Sequence, residues 1–370
     1  MTGCADERRR GESGVIGGRR SAGRGRRKDL PVVIAWRDRL RHGGRVAAEI
    51  CVVGVMYYAS GKLGLMHELV AGQVTPLWPA SGIALAGLFF LGPRVWPGIA
   101  LGAFLISISL TPSTPAVLVI TGGDTLAPLC SYALLRRAGF RTRMNRLRDA
   151  LALVFLGAFT GMLISATVGT GTLHLAHAVP AVGFWPTWWV WWTGDAMGVL
   201  VVAPVLFALR SAHRPKNAPA SRWAEGSLLV AATIGIGLIQ TSQAPLLFLA
   251  FPLLSWAAFR FQRAGAAPCA LAVTTFAILA ATRRSGPFAG HSLLTNMVVL
   301  QAYNGTAALT ALLLAAAITE RNQTQEKIEQ ACRRLAEMAA RIAPDIGDLP
   351  VLPGDGRGDQ GENGGPTRPS

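Results

Sequence analysis

Beyond Arg45 the chain is a succession of apolar runs separated by short polar connectors, at 46–66, 77–91, 95–110, 114–135, 149–173, 188–209, 226–242, 245–259, 267–282 and 293–318. A helix needs about 20 residues to cross the hydrocarbon of a bilayer, with about 17 at the low end. The runs 77–91, 95–110 and 245–259 fall short, so each is expected as a tilted, packed or re-entrant element. The pattern predicts an all-α, polytopic integral membrane protein with eight to ten transmembrane helices.

Composition agrees with that reading. Of the 370 residues, 51% are apolar and 15% charged, with a mean hydropathy of +0.37, against roughly 25% charged in soluble domains. The net charge of +16 is concentrated in the N-terminal segment and in clusters between the apolar runs, which argues against nucleic-acid binding. Residues 1–45 are rich in Arg, Gly and Ser and are expected to form a disordered basic tail able to meet anionic lipid. With that tail in the cytoplasm and ten spans, the interior loops hold 13 Lys and Arg and the exterior loops hold 2, Arg283 and Arg284. Basic residues flanking spans are retained inside, so both termini are expected in the cytoplasm.

Function classes fall away next. Cys4, Cys51, Cys130, Cys269 and Cys332 show no paired spacing, so neither a disulfide framework nor a zinc site is indicated. There is no P-loop, no H-E-x-x-H and no G-x-S-x-G. The expectation is no enzyme, no cofactor and no metal.

The informative residues are the charges inside the apolar runs. An acid at the bilayer centre costs about 2.5–3.5 kcal/mol on insertion scales, so an intramembrane carboxylate needs a partner or a task. Asp195 is expected roughly 10 Å and Asp124 roughly 15 Å from the outer boundary, at about 1.5 Å per residue. Trp78, Pro79 and Ser81, in P-L-W-P-A-S-G at 76–82, share that outer half, as do Lys62 and the histidines His67, His174, His177 and His291. The run F-W-P-T-W-W-V-W-W at 184–192 reads either as an interfacial aromatic belt or as a stacking wall that includes Trp192. These residues suggest an outward-facing polar pocket floored by Asp195 and Asp124, with Arg283 or Arg284 as counter-ions. The competing reading gives both acids to interhelical hydrogen bonds. Arg260, near the cytoplasmic face, reads as a helix-end anchor.

From Thr319 the chain turns polar. Ile328, Leu335 and Ile342 recur every seven residues, with Ala331 and Met338 at intermediate positions, a short heptad pattern suited to a solvated helix or a homodimeric coiled coil. The domain plan is therefore a basic tail at 1–45, a membrane domain at 46–318, a cytoplasmic helix at 319–343 and a disordered tail at 344–370.

Several ordered stretches carry a resemblance to a known family. They are P-L-W-P-A-S-G-I-A-L-A at 76–86, W-P-G-I-A-L-G-A-F-L at 96–105, W-W-T-G-D-A-M-G-V-L-V-V-A-P-V-L at 191–206, F-P-L-L-S-W-A-A-F-R-F at 251–261, G-P-F at 286–288 and A-L-T-A-L-L-L-A-A-A-I-T-E-R at 308–321. From about 46 to 321 the chain resembles the MASE family, type one, a bacterial membrane-associated sensor. The resemblance places Trp78, Pro79, Ser81, Gly82, Trp192, Gly194, Asp195, Gly198, Pro204 and Arg260 at signature positions. Asp124 and Pro128 depart from it, standing where a less acidic, Pro-free helix is expected. It implies a bacterial cell-membrane input domain coupled to a histidine kinase, a diguanylate cyclase or a similar output. About 50 residues follow the last run, short of such an output domain, so the expectation is a stand-alone sensor acting on a partner in trans. A secondary transporter for a small solute is the rival class, suggested by short Gly/Pro-interrupted segments and buried acids.

Overall fold

The computed structural model describes residues 30–66, 75–110, 113–211, 219–242, 246–290 and 293–347, and they contain no strand. In hydrocarbon every backbone N–H and C=O must be satisfied within its own segment or barrel, and helices do this locally. The chain forms α1 (Leu30–Leu65), α2 (Pro79–Leu91), α3 (Trp96–Leu110), α4 (Thr114–Arg137), α5 (Leu147–Ala152), α6 (Leu163–Leu175), α7 (Phe184–Met197), α8 (Ala203–Ser211), α9 (Ala220–Gln240), α10 (Ala250–Thr282) and α11 (Leu293–Gly347). A π-helical stretch, Leu153–Thr160, follows α5, and a second, Gly198–Val202, joins α7 to α8. Eight helical runs among the described residues are long and apolar enough to cross a membrane, and Pro79–Leu91 is a shorter apolar helix. The protein is an all-helical, multi-pass membrane protein.

The tail boundaries need correction. The first helix begins at Leu30, so 30–45 is helical where composition suggested disorder, and the last helix passes Pro344 to reach Gly347. The remaining parts of the two expected tails, 1–29 and 348–370, lie outside the described residues.

The chain divides into two compact units. One comprises Met1–Leu134 and Phe159–Val199, the other Leu135–Ala158 and Leu200–Ser370. In the first unit, α1, α2 and α3 pack around Val53, Tyr57, Ala84, Leu88, Ile99 and Ile106. Glu49 accepts from Arg94 at 2.8 Å, and Lys62 donates to Ser109 at 3.0 Å. These two contacts make α3 run parallel to α1. Between them α2 returns in the opposite direction, with Pro79 against Gly64 and Gly87 against Val53. The short α2 therefore traverses the same layer as its longer neighbours. Close approach of α1 and α3 depends on Gly98, where a Cβ would lie 2.3 Å from the Ile50 carbonyl oxygen. Small residues of this kind let membrane helices pack backbone to backbone.

In the second unit, α10 is broken at Gln262, whose φ of 51° and ψ of −137° are not helical. A Cβ on Gly265 would lie 3.3 Å from the carbonyl oxygen of Ala257. Eight residues along a straight helix would separate these groups by about 12 Å, so the chain reverses at Gln262. Side-chain contacts agree: Glu225 of α9 pairs with Arg260, Thr233 meets Cys269, and Gly237 meets Phe276. Hence 250–261 runs antiparallel to α9 and 263–282 parallel to it. With α2 and the two arms of α10 taken separately, each of the ten apolar runs of the sequence forms its own helical segment among the described residues.

At its polar end α11 is held inside this unit. The Glu320 carboxylate accepts from the Leu147 backbone N–H at 2.8 Å, and Thr319 donates to Gln262 at 3.2 Å. An acceptor of this kind satisfies one of the orphan N–H groups at a helix start.

Candidate functional site

The first unit holds a cavity of about 50 Å³ at the end where α1 and α3 finish and α4 begins. Its wall includes Trp78, Ser107, Asp124, Trp191 and Asp195. The entry to α2 creates it. Trp78 backbone N–H donates to the Gly194 carbonyl oxygen at 2.9 Å, tying the segment ahead of α2 to the last turn of α7. Side chains at Gly194 or Gly198 would prevent this, because a Cβ there would lie 2.5 Å from the Thr75 carbonyl oxygen or 1.9 Å from that of Trp78.

Asp195 is 2% exposed. Ser81 donates to its Oδ1, while Oδ2 has no hydrogen-bond partner among the described residues. Asp124, on α4, accepts from Ser165 Oγ at 2.7 Å, and Ser165 in turn accepts from the Trp191 indole at 3.0 Å. The two carboxylates are close enough to act on each other electrostatically, and Ser165 also interacts with Asp195. Tyr57, fully buried, stands beside Trp78 and feels both acids. Among the described residues of this unit no basic side chain compensates either carboxylate. The ion pairs of this unit, Arg45 and Arg94 with Glu49, sit at the far end of α1.

Asp195, Asp124 and Trp78 thus meet at one cavity, with Ser81 directly behind Asp195. Trp192 faces elsewhere: its indole donates to the Phe159 carbonyl at 2.9 Å and its ring stacks on Trp188. Its neighbour Trp191 is the one that lines the cavity. The tryptophan run divides by face, since Trp185 and Trp189 are exposed on the helix surface. Arg283 and Arg284 belong to the second unit, after the end of α10, and Arg284 has a φ of 49°. Arg260 binds Glu225 through two nitrogens. Gly82 is buried in the first turn of α2 after Pro79, and Pro204 is buried in the first turn of α8.

Composition did not single out Tyr57, Thr75, Ser107, Ser165 or Trp191. Hydroxyls are common in membrane helices, and only the packing shows which of them face an acid. Of the histidines, His174 bonds the Val179 carbonyl at 3.0 Å, His177 follows α6, and His67 and His291 lie outside the described residues. Among the described residues no three His, Cys, Asp or Glu side chains are grouped to hold a metal ion.

Comparison with known proteins gives one match. The profile of the MASE1 family covers residues 50–322. No curated protein and no solved structure matches the chain.

Proposed function

Because this chain belongs to the MASE1 family, a membrane-associated sensory domain of signalling proteins, we propose that it detects its stimulus in the Asp195 cavity and reports it through α11 to a signalling partner in trans. The observation that carries this reading is Asp195 itself. A buried carboxylate on a cavity wall, with one oxygen engaged and the other unpartnered, has unmet bonding capacity, which a ligand can satisfy and which is costly to leave open.

The relay follows from chain continuity. A single helical run, Leu147–Leu175, carries Ser165, which holds Asp124, toward one end. At its other end stands Leu147, whose N–H docks Glu320 of α11. The run contains the π-helical stretch Leu153–Thr160. Such stretches interrupt the regular hydrogen-bond ladder and recur at functional sites. The signal proposed here follows the chain from Ser165 to the contact of the α5 N-terminus with Glu320. Beyond that point Ile328, Leu335 and Met338 are exposed along α11, leaving an apolar seam for a partner helix. The distribution of basic residues supports both termini in the cytoplasm of a bacterial cell.

Differential binding to two states is what any such switch requires. Asp195→Asn is expected to abolish the stimulus-dependent change in output while membrane levels stay normal; unchanged output would overturn the site. Photo-crosslinking from Ile328 and Leu335 in native membranes is expected to recover a kinase, a cyclase or a response regulator. Recovery of the chain itself alone, or of nothing, would overturn the relay.

A further inference from the structure

We propose that the ligand of the Asp195 cavity is a small, dehydrated monovalent cation of the sodium or potassium class. This inference rests on the cavity being the sensing site and names what occupies it.

Charge is the first argument. Two carboxylates face one small space inside a membrane domain, and the hydrogen bonds given to them come from hydroxyls, Ser81 to Asp195 and Ser165 to Asp124. Hydroxyl dipoles satisfy lone pairs without neutralising charge. Among the described residues of the first unit no basic side chain pairs with either acid, and an uncompensated buried charge is among the costliest features a fold can carry. Asp195, whose Oδ2 is buried and without a partner among the described residues, lines the cavity.

Donor type is the second. Beside the two carboxylates, the polar side chains on the wall are the hydroxyls of Thr75 and Ser107, both buried. The Trp78 indole interacts with Tyr57, and the Trp191 indole donates to Ser165. Oxygen donors without thiol or imidazole select hard cations.

Size is the third. At about 50 Å³ the space takes a few water-sized particles, at roughly 10–15 Å³ each. That excludes sugars, nucleotides and aromatic amines. Two neighbouring buried carboxylates share a proton at lower cost than both ionise, which leaves one net negative charge for a monovalent ion to neutralise and one too few for calcium or magnesium.

The test uses the purified full chain in nanodiscs, with choline chloride holding ionic strength constant. Thermal unfolding and tryptophan emission are followed while NaCl, KCl, MgCl2 or CaCl2 replaces choline. Sodium or potassium is expected to raise the melting temperature saturably, by about 5 °C at ion concentrations far above Kd, with a change in emission from Trp78 and Trp191. Asp195→Asn and Asp124→Asn are expected to lose this response, and Glu225→Gln, in the second unit, to keep it. Should the aspartate variants fail to purify, Ser107→Ala retains both carboxylates and is expected to weaken the apparent ion affinity up to about tenfold. Equal melting in sodium, potassium and choline would overturn the proposal. So would a response to divalent ions alone, or one that survives in Asp195→Asn.

Binding is read here without any output, which separates the two inferences. An ion response lost in Asp195→Asn, together with unaltered signalling, would leave the ion site and overturn the sensing role. A signalling defect in Asp195→Asn without any ion response would do the reverse.

Discussion

Asp195 on α7 and Gly198, three residues further at the start of the π-helical stretch, have opposite tolerances. Asp195 keeps an open bonding position, whereas Gly198 has no space at all, with the Trp78 carbonyl where its Cβ would stand. Gly198→Ala must therefore push α7 off the entry to α2. It is expected to cost about 1–3 kcal/mol, in the range of overpacked cores, measured as a lowered melting temperature of the purified chain. Ser165 has a different weakness, since it donates to Asp124 and accepts from Trp191. Removing its hydroxyl strands an acceptor and a donor together. Ser165→Ala is expected to cost about 1–3 kcal/mol and to shift tryptophan emission, whereas Thr306→Ala, on exposed α11 surface, should leave both unchanged.

Among the elements, α10 carries the sharpest local demand. Its reversal needs positive φ at Gln262, a region that glycine enters without penalty and β-branched residues resist. Gln262→Gly is expected to melt at or above the parent temperature despite losing the bond to Thr319, and Gln262→Val to lose about 1–3 kcal/mol. Near-equal melting of the two variants would show that the turn is not under strain. The junction of α5 and α11 makes a second prediction. Glu320→Ala removes the acceptor for Leu147 N–H and is expected to cost about 1 kcal/mol, as for other lost caps. If that junction is the relay, the variant should also uncouple output from stimulus while leaving the cation response of the purified chain intact.

At the scale of the whole molecule, orientation can be read chemically. Cys332 is exposed on α11, and a chain retaining Cys332 as its sole cysteine is expected to react with an impermeant maleimide only after the cells are opened. Labelling of intact cells would place α11 outside and overturn the charge-based orientation. An even number of passes, eight or ten, would place α11 on the same side as the basic tail.

Hydropathy by itself determined the helical membrane class and the ten apolar segments, because the absence of water leaves the backbone little alternative to helix. The same economy exposed Asp124 and Asp195, since the cost of burying a carboxylate makes any exception conspicuous. The ordered motifs carried the family, borne out by the match over residues 50–322. Other features had no signature along the chain. The approach of Trp78 to α7 depends on two glycines whose missing side chains matter only because another backbone passes there. Trp191 rather than Trp192 reaches the cavity because their indoles point in different directions from adjacent positions on one helix. Helix formation is local and readable in a window of residues; which oxygen is left open beside which acid depends on segments far apart in the chain, and only their packing in three dimensions decided it.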